Sequence, residues 1–185
     1  MHIAIDGYEA NTSHRVGIGE YAFEILSGMY SILSKRKNNT TQCTIFLPDV
    51  PVFDLPKETS FWKYEIKHPK KLWTMVALPF SITASNSKFD LVFSPTHYMP
   101  RFISTPRVFS IMDLSFLYFP ELFKKKDYYQ LVNWTKYSAR HAKAIFTISE
   151  YSRNAILKEY QFDPKHVFVT YTGLSSKKVL NMKKN

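Results

Sequence analysis

Gly17-Ile18-Gly19-Glu20-Tyr21-Ala22 is the stretch with the plainest chemical potential. Its spacing matches G-x-G-x-x-G/A, in which glycines bring a helix N-terminus, with its free N–H groups, against a pyrophosphate. Three readings compete. In a dinucleotide site the first glycine follows the first strand almost at once, and an acid about 20 residues on holds the ribose. Here Asp6 closes the strand-like run "HIAID", Gly17 comes eleven residues later, and the nearest acid, Asp49, lies beyond Pro48. Both features weigh against NAD(P). In the second reading Gly17 and Gly19 only shape a turn and let a helix pack closely. In the third, the same helix start holds a different phosphate-bearing ligand, with Arg15 as a fixed charge.

The other candidates are single residues. His97, in "FSPTHYMP", sits in a loop after a strand and could reach a substrate hydroxyl. Asp113 follows the strand-like run "RVFSIM" and reads either as a reactive acid or as a turn acid. Ser149 and Arg153 stand in "SEYSR" at a helix start, where Ser149 as N-cap and Glu150 in the first turn are also ordinary capping. The histidines show no metal-ligand spacing, and no Ser-His-Asp arrangement or Walker loop occurs. Neither a metal nor a bound cofactor is expected.

These residues need elements to hold them. Continuous apolar runs at 2–6, 42–47, 89–93, 107–112, 144–148 and 166–171, with a weaker one at 62–66, predict strands. Apolar residues at 18, 21, 22, 25, 26, 29 and 33 predict an amphipathic helix. Further helices are expected at 72–87, interrupted at Pro79, at 124–141 and at 150–160. Alternating strands and helices predict an α/β Rossmann-like doubly wound fold: a mainly parallel sheet of about seven strands, covered on both faces. Ligands then bind beyond the carboxyl ends of the strands, so the loops of interest are 7–17, 94–106 and 113–123, and the Ser149 turn.

A chain of 185 residues allows one such domain. Its net charge of +10 is concentrated in 63–71, in Lys124–Lys126 and in the tail from Ser175. In "WKYEIKHPKKLW", Lys63, Lys67, Lys70 and Lys71 interleave with Trp62 and Trp73, a pattern suited to an anionic membrane surface or to single-stranded nucleic acid. The plain alternative is a solvated lysine face beside core aromatics. With a single cysteine, Cys43, no leader and no bilayer-length apolar run, a cytoplasmic protein is expected, peripheral at the inner face of the membrane if its substrate is lipid-linked.

A resemblance joins these pieces. "IDG…RVGIGEYAFEIL", "FSPTHYMP", "VFSIMDLSFLYFPELF", "SARHAKAIFTISEYSRNAILKEY" and "VFVTYTGL" follow in the order and spacing of the N-terminal domain of glycosyltransferase family 4, which has the two-domain GT-B fold. The resemblance covers about residues 1–174, with 175–185 as the start of an inter-domain linker. It implies the acceptor-binding half of a retaining, nucleotide-sugar-dependent hexosyltransferase. It also implies Asp113 near the reacting sugar, Gly17 and Gly19 below the donor, and substrate contacts from Arg15, His97, Ser149 and Arg153. The implied partners are a nucleotide-sugar, a glycan or lipid-linked acceptor and a donor-binding domain or subunit; nucleic acid is not among them. Two departures stand out. The family's histidine before Asp113 is Met112 here, which cannot exchange a proton. The donor-site Glu-x7-Glu is absent: Glu150 and Glu159 are nine positions apart. The chain alone is therefore expected to be inactive. A non-catalytic binding or scaffold domain, at a membrane or with a separate donor subunit, is the first alternative, and an NAD(P)-binding protein the second.

Overall fold

The computed structural model describes residues 1–173; the basic tail and Leu174 lie outside the described residues. Seven strands form one sheet in the order β3-β2-β1-β4-β5-β6-β7. They are β1 (His2–Asp6), β2 (Gln42–Leu47), β3 (Trp62–Ile66), β4 (Leu91–Ser94), β5 (Arg107–Ser110), β6 (Ala144–Thr147) and β7 (Val167–Val169). Every neighbouring pair is parallel. The expected Rossmann-like α/β fold is thus observed, and "mainly parallel" becomes wholly parallel.

The period of two along the strands sorts side chains between the faces. Ile3 and Ile5, with Ile45, Leu47 and Phe93, pack against α1 (Ile18–Lys35) through Ala22, Leu26 and Leu33. Ala4, Phe46 and Val92 face the other way, onto α2 (Leu78–Ala84) and the turn before it. A short helix, α3 (Ser115–Tyr118), precedes the long α4 (Lys125–His141), and α5 (Glu150–Tyr160) follows β6. Phe109, Ile145 and Val167 meet Phe116, Ala139 and Ile156 from these three helices. Opposite them, an apolar hollow of about 260 Å³ opens between α1 and the sheet, walled by Ile25, Met29, Phe93, Val108 and Phe146.

Two local features depart from expectation. The segment expected to be helical over 72–87 is a π-helical turn, Trp73–Ala77, running into α2, which ends at Ala84. Pro79 does not interrupt it: the proline falls in the first turn of α2, where its missing N–H costs little. The second departure concerns the lysine–tryptophan stretch. Trp62 is wholly buried beneath α1 and Trp73 is almost so. Alternation along β3 turns Trp62 inward while Lys63 points out. Lys67 pairs with Glu65 at 3.0 Å. Neither tryptophan is available for insertion into a bilayer, and among the described residues no helix is long and apolar enough to cross one.

Trp62→Ala is expected to lower folding stability by roughly 3–5 kcal/mol, and Lys63→Gln to change it by less than about 0.5 kcal/mol. Urea denaturation compares the two, and a mild Trp62 variant would place that ring at the surface.

Candidate functional site

The strand order reverses direction at β1: the chain goes from β1 outward to β2 and β3, then returns to place β4 on the other side. Loops after β1 and β4 therefore diverge, which leaves a crevice beyond the carboxyl ends of the strands. A hollow of about 300 Å³ lies there. Asp6 reaches it from the end of β1, Glu9 from the following loop, Trp73 from the π-helical turn, Thr96 from the loop after β4, and Gln130 and Trp134 from α4.

Asp6 is its most perturbed group. It is 3% exposed. Its Oδ1 accepts the Trp73 indole N–H at 2.8 Å and the Tyr8 backbone N–H at 3.1 Å. Its Oδ2 is sealed and has no partner among the described residues. Burial raises the carboxyl pKa from the usual 3.8 to about 6; the bonds from Trp73 and Tyr8 oppose the rise, and Glu9 adds to it. Burial raises the Glu9 carboxyl as well. The walls are aromatic. Tyr8 and Trp73 lie 6.2 Å apart, Tyr98 meets Trp134 edge-on at 5.3 Å, and Lys70 stands 5.8 Å over the Tyr8 ring. Aromatic faces with a few convergent carboxylates can stack a sugar ring and accept bonds from its hydroxyls.

The residues expected from sequence mostly serve the scaffold. The Arg15 guanidinium is already engaged: its two terminal nitrogens donate to Asp54 at 2.7 and 2.8 Å, its Nε to the Ala10 carbonyl, and it covers the Phe23 ring. Gly17 caps α1 at φ 52°, ψ −114°, a backbone that favours glycine. A Cβ on Gly19 would come 3.1 Å from the Glu9 carbonyl, so this glycine lets α1 sit close to the loop after β1. The hollow beside Gly17 carries Glu20 and Glu24 and, among the described residues, no cationic lining. The arrangement fits the turn-shaping reading of the glycines better than a phosphate site.

Asp113 is exposed and accepts the Ser115 N–H at 2.8 Å, the turn-acid role. Met112 is buried behind it. Ser149 accepts the Ser152 N–H at 3.1 Å as the N-cap of α5. Arg153 donates to the carbonyls of Val167 and Pro164 and so ties α5 to the entry of β7. None of these lines the hollow. His97 lies between two of its wall residues, Thr96 and Tyr98, but its ring packs edge-on to Phe116. The residue as a whole is half-buried, yet its Nδ1 is sealed and has no partner among the described residues. Burial lowers its pKa from 6.5 to about 4 against a weak opposing pull from Asp113, so the imidazole is neutral at pH 7.

Sequence reading missed Glu9, Trp73, Gln130 and Trp134, and treated Asp6 only as a strand end. An acid closing the first of several apolar strands was the available signal. Of the aromatic walls, Trp73 and Trp134 come from segments 67 and 128 residues beyond Asp6 and had none.

No protein-family model matches the chain, and no curated protein matches it in sequence. Among solved structures it is similar to HepE of Anabaena, whose crystal structure is a complex with UDP-glucose. The TM-score is 0.50 at 14% identity, over 99% of this chain and 48% of that one. The chain spans about half the length of HepE, and the likeness is one of fold.

The two perturbed groups act oppositely on stability. Asp6 holds its proton more tightly when folded, so its contribution is complete below about pH 4 and is lost as pH rises through about 6. The His97 contribution is complete above pH 6.5 and is lost as pH falls through about 4. Each masks the other in between. Asp6→Asn is expected to make stability rise between pH 4 and 6.5. His97→Gln should make it fall as pH rises to 7, by on the order of 2–3 kcal/mol. Urea melts at pH 4, 5.5 and 7 check this; parallel profiles for both variants would contradict it.

Proposed function

We propose that this chain is the acceptor-binding half of a retaining, nucleotide-sugar-dependent glycosyltransferase of the family 4, GT-B kind. The observation that carries the reading is the hollow at the β1/β4 reversal, where a buried carboxyl stands between aromatic walls. Its place in the sheet is where this fold class binds ligands. The ordered motifs of the sequence and the fold likeness to a UDP-glucose-bound protein support the same reading.

In this account the acceptor ring stacks against Trp134 and Tyr98, and the acceptor hydroxyl bonds to Asp6. A carboxyl with a pKa of about 6 is mostly ionised at pH 7, so it is well suited to accept that bond. Trp73 and the Tyr8 backbone N–H hold the carboxylate in place through Oδ1. The nucleotide-sugar is bound mainly by a second, donor-binding domain, carried on the same polypeptide or on another. Asp113 and the Gly17 helix start lie on the same edge of the sheet, beyond β5 and before α1, and would complete the cleft from this side.

The 185-residue chain alone is expected to release no UDP from UDP-glucose, with or without oligosaccharides, in a coupled assay. With a donor-binding half added, Asp6→Asn should weaken acceptor binding roughly 10- to 100-fold, the value of a hydrogen bond to a charged group. The KM for donor should stay unchanged. Turnover by the chain alone, or an Asp6 variant with unchanged acceptor binding, would overturn the proposal.

A further inference from the structure

A second hollow, of about 440 Å³, lies along the outer side of α4 and shares Trp134 with the first. Its lining from α4 recurs at Tyr129, Asn133, Lys136, Tyr137 and Arg140, one face of the helix. From Tyr129 to Arg140 that face runs about 16 Å at 1.5 Å per residue, away from the strand ends. Arg101, from the loop after β4, closes it from the other side.

The charge in this groove is one-sided. Arg101, Lys136 and Arg140 line it together with His141 and, among the described residues, no carboxylate does. Among the described residues, none of these cations takes part in an ion pair. The one acid of α4, Asp127, is in its first turn and outside the lining. Arg101 is also held in place. Its guanidinium lies 4.2 Å from the Tyr137 ring centroid, and the His141 ring stacks on the same tyrosine at 4.1 Å. The His141 Nδ1 bonds to the Tyr137 carbonyl at 2.8 Å, which fixes that imidazole. Stacking leaves the in-plane N–H donors of Arg101 free, in a fork that matches the two oxygens of a carboxylate or phosphate. Elsewhere in this chain a buried arginine, Arg15, is given a carboxylate partner of its own. The groove cations, half-buried or exposed, are left open to an anion from outside.

We infer that the groove along α4 binds the oxyanion groups of an acidic glycan, one whose terminal sugar occupies the hollow at Asp6. This rests on the acceptor-binding reading above and specifies its substrate class: a chain bearing carboxylate or phosphate on the sugars that follow the reacting one. Trp134 lines both hollows, so the two lie side by side at one ring. The acidic groups Asp6 and Glu9 at the reacting end, and cations along α4, define a polarity: a neutral, hydroxyl-rich terminus and an anionic body. Single-stranded nucleic acid fits less well. It needs a run of open aromatic faces for base stacking; Arg101 and His141 cover Tyr137, which leaves Tyr129 as the exposed tyrosine of the groove.

The test titrates the full chain with maltotriose, trigalacturonate and a phosphorylated maltotriose in low and physiological salt, with ten-nucleotide RNA and anionic vesicles as competitors. At least one acidic trisaccharide is expected to bind roughly tenfold more tightly than maltotriose, with the advantage shrinking as salt rises. Arg101→Gln with Arg140→Gln should abolish the advantage and leave maltotriose affinity unchanged; Lys136→Gln with Arg140→Gln, both exposed, should reduce it without touching a packed residue. Equal affinity for neutral and acidic sugars, no binding by any of the three, a preference that survives both double variants, or tighter binding of RNA or vesicles would each overturn the inference. The outcomes separate from those of the function proposal. Acidic preference without sugar transfer in the presence of a donor half contradicts only the transferase reading, and transfer to neutral acceptors alone contradicts only the acidic groove.

Discussion

The hydrogen bond from the Trp73 indole to Asp6 joins the end of the central strand to the segment that walls the crevice. A buried carboxyl is costly unless its oxygens are paired, so Asp6 constrains everything that must reach it. The Tyr8 N–H serves one side of Oδ1, and Trp73 must be delivered to the other from far along the chain. That delivery shows in the backbone. Leu72 has a left-handed φ of 57°, unusual for a branched residue, and a π-helical turn follows it at once. Together they aim the indole at the strand end, and Pro79 then starts α2 in a regular geometry. Strain of this kind, costing on the order of 1–3 kcal/mol, is characteristic of ligand sites.

The wholly parallel sheet contributes the rest. It sends every strand-to-helix loop to one edge, and the reversal between β1 and β4 keeps two of those loops apart. The resulting edge is not chemically uniform. Carboxyls and aromatic rings gather at the reversal, Glu20 and Glu24 lie beside Gly17, and the cations run down α4. The cations therefore differ by place: Lys63, Lys67 and Lys71 are a solvated fringe of β3 and the loop after it, Lys70 reaches the hollow at Asp6, and those of the α4 groove line a shaped concavity.

Much of this architecture was legible beforehand because it depends on local signals. Unbroken apolar runs marked the strands, a 3.6-residue period marked α1, and Ser149 announced α5 by its capping chemistry. The site was less legible because its chemistry depends on distant pairings. Arg15 looked like an anion-binding charge until Asp54, thirty-nine residues away, was found to occupy it. His97 looked able to reach a substrate hydroxyl, but its ring packs edge-on to Phe116. Trp62 and Trp73 looked interfacial because lysines surround them in sequence; strand alternation in one case and Asp6 in the other draw them inside. The glycine fingerprint marked a real helix start, and only its geometry shows Gly17 as a cap and Gly19 as a close contact.

The three tryptophans give the most direct test of the central claim that the hollow at Asp6 holds a sugar acceptor. Their indole N–H groups occupy distinct settings: Trp62 donates to the Tyr64 hydroxyl in the core, Trp73 donates to Asp6, and Trp134 lines both hollows. Nuclear magnetic resonance of the ¹⁵N-labelled chain resolves them individually during titration with short neutral and acidic oligosaccharides. The account predicts that the Trp73 and Trp134 signals move together with added sugar while Trp62 stays fixed. A panel in which no oligosaccharide moves Trp73, or in which the shifts gather at Gly17 and α1 instead, would contradict it.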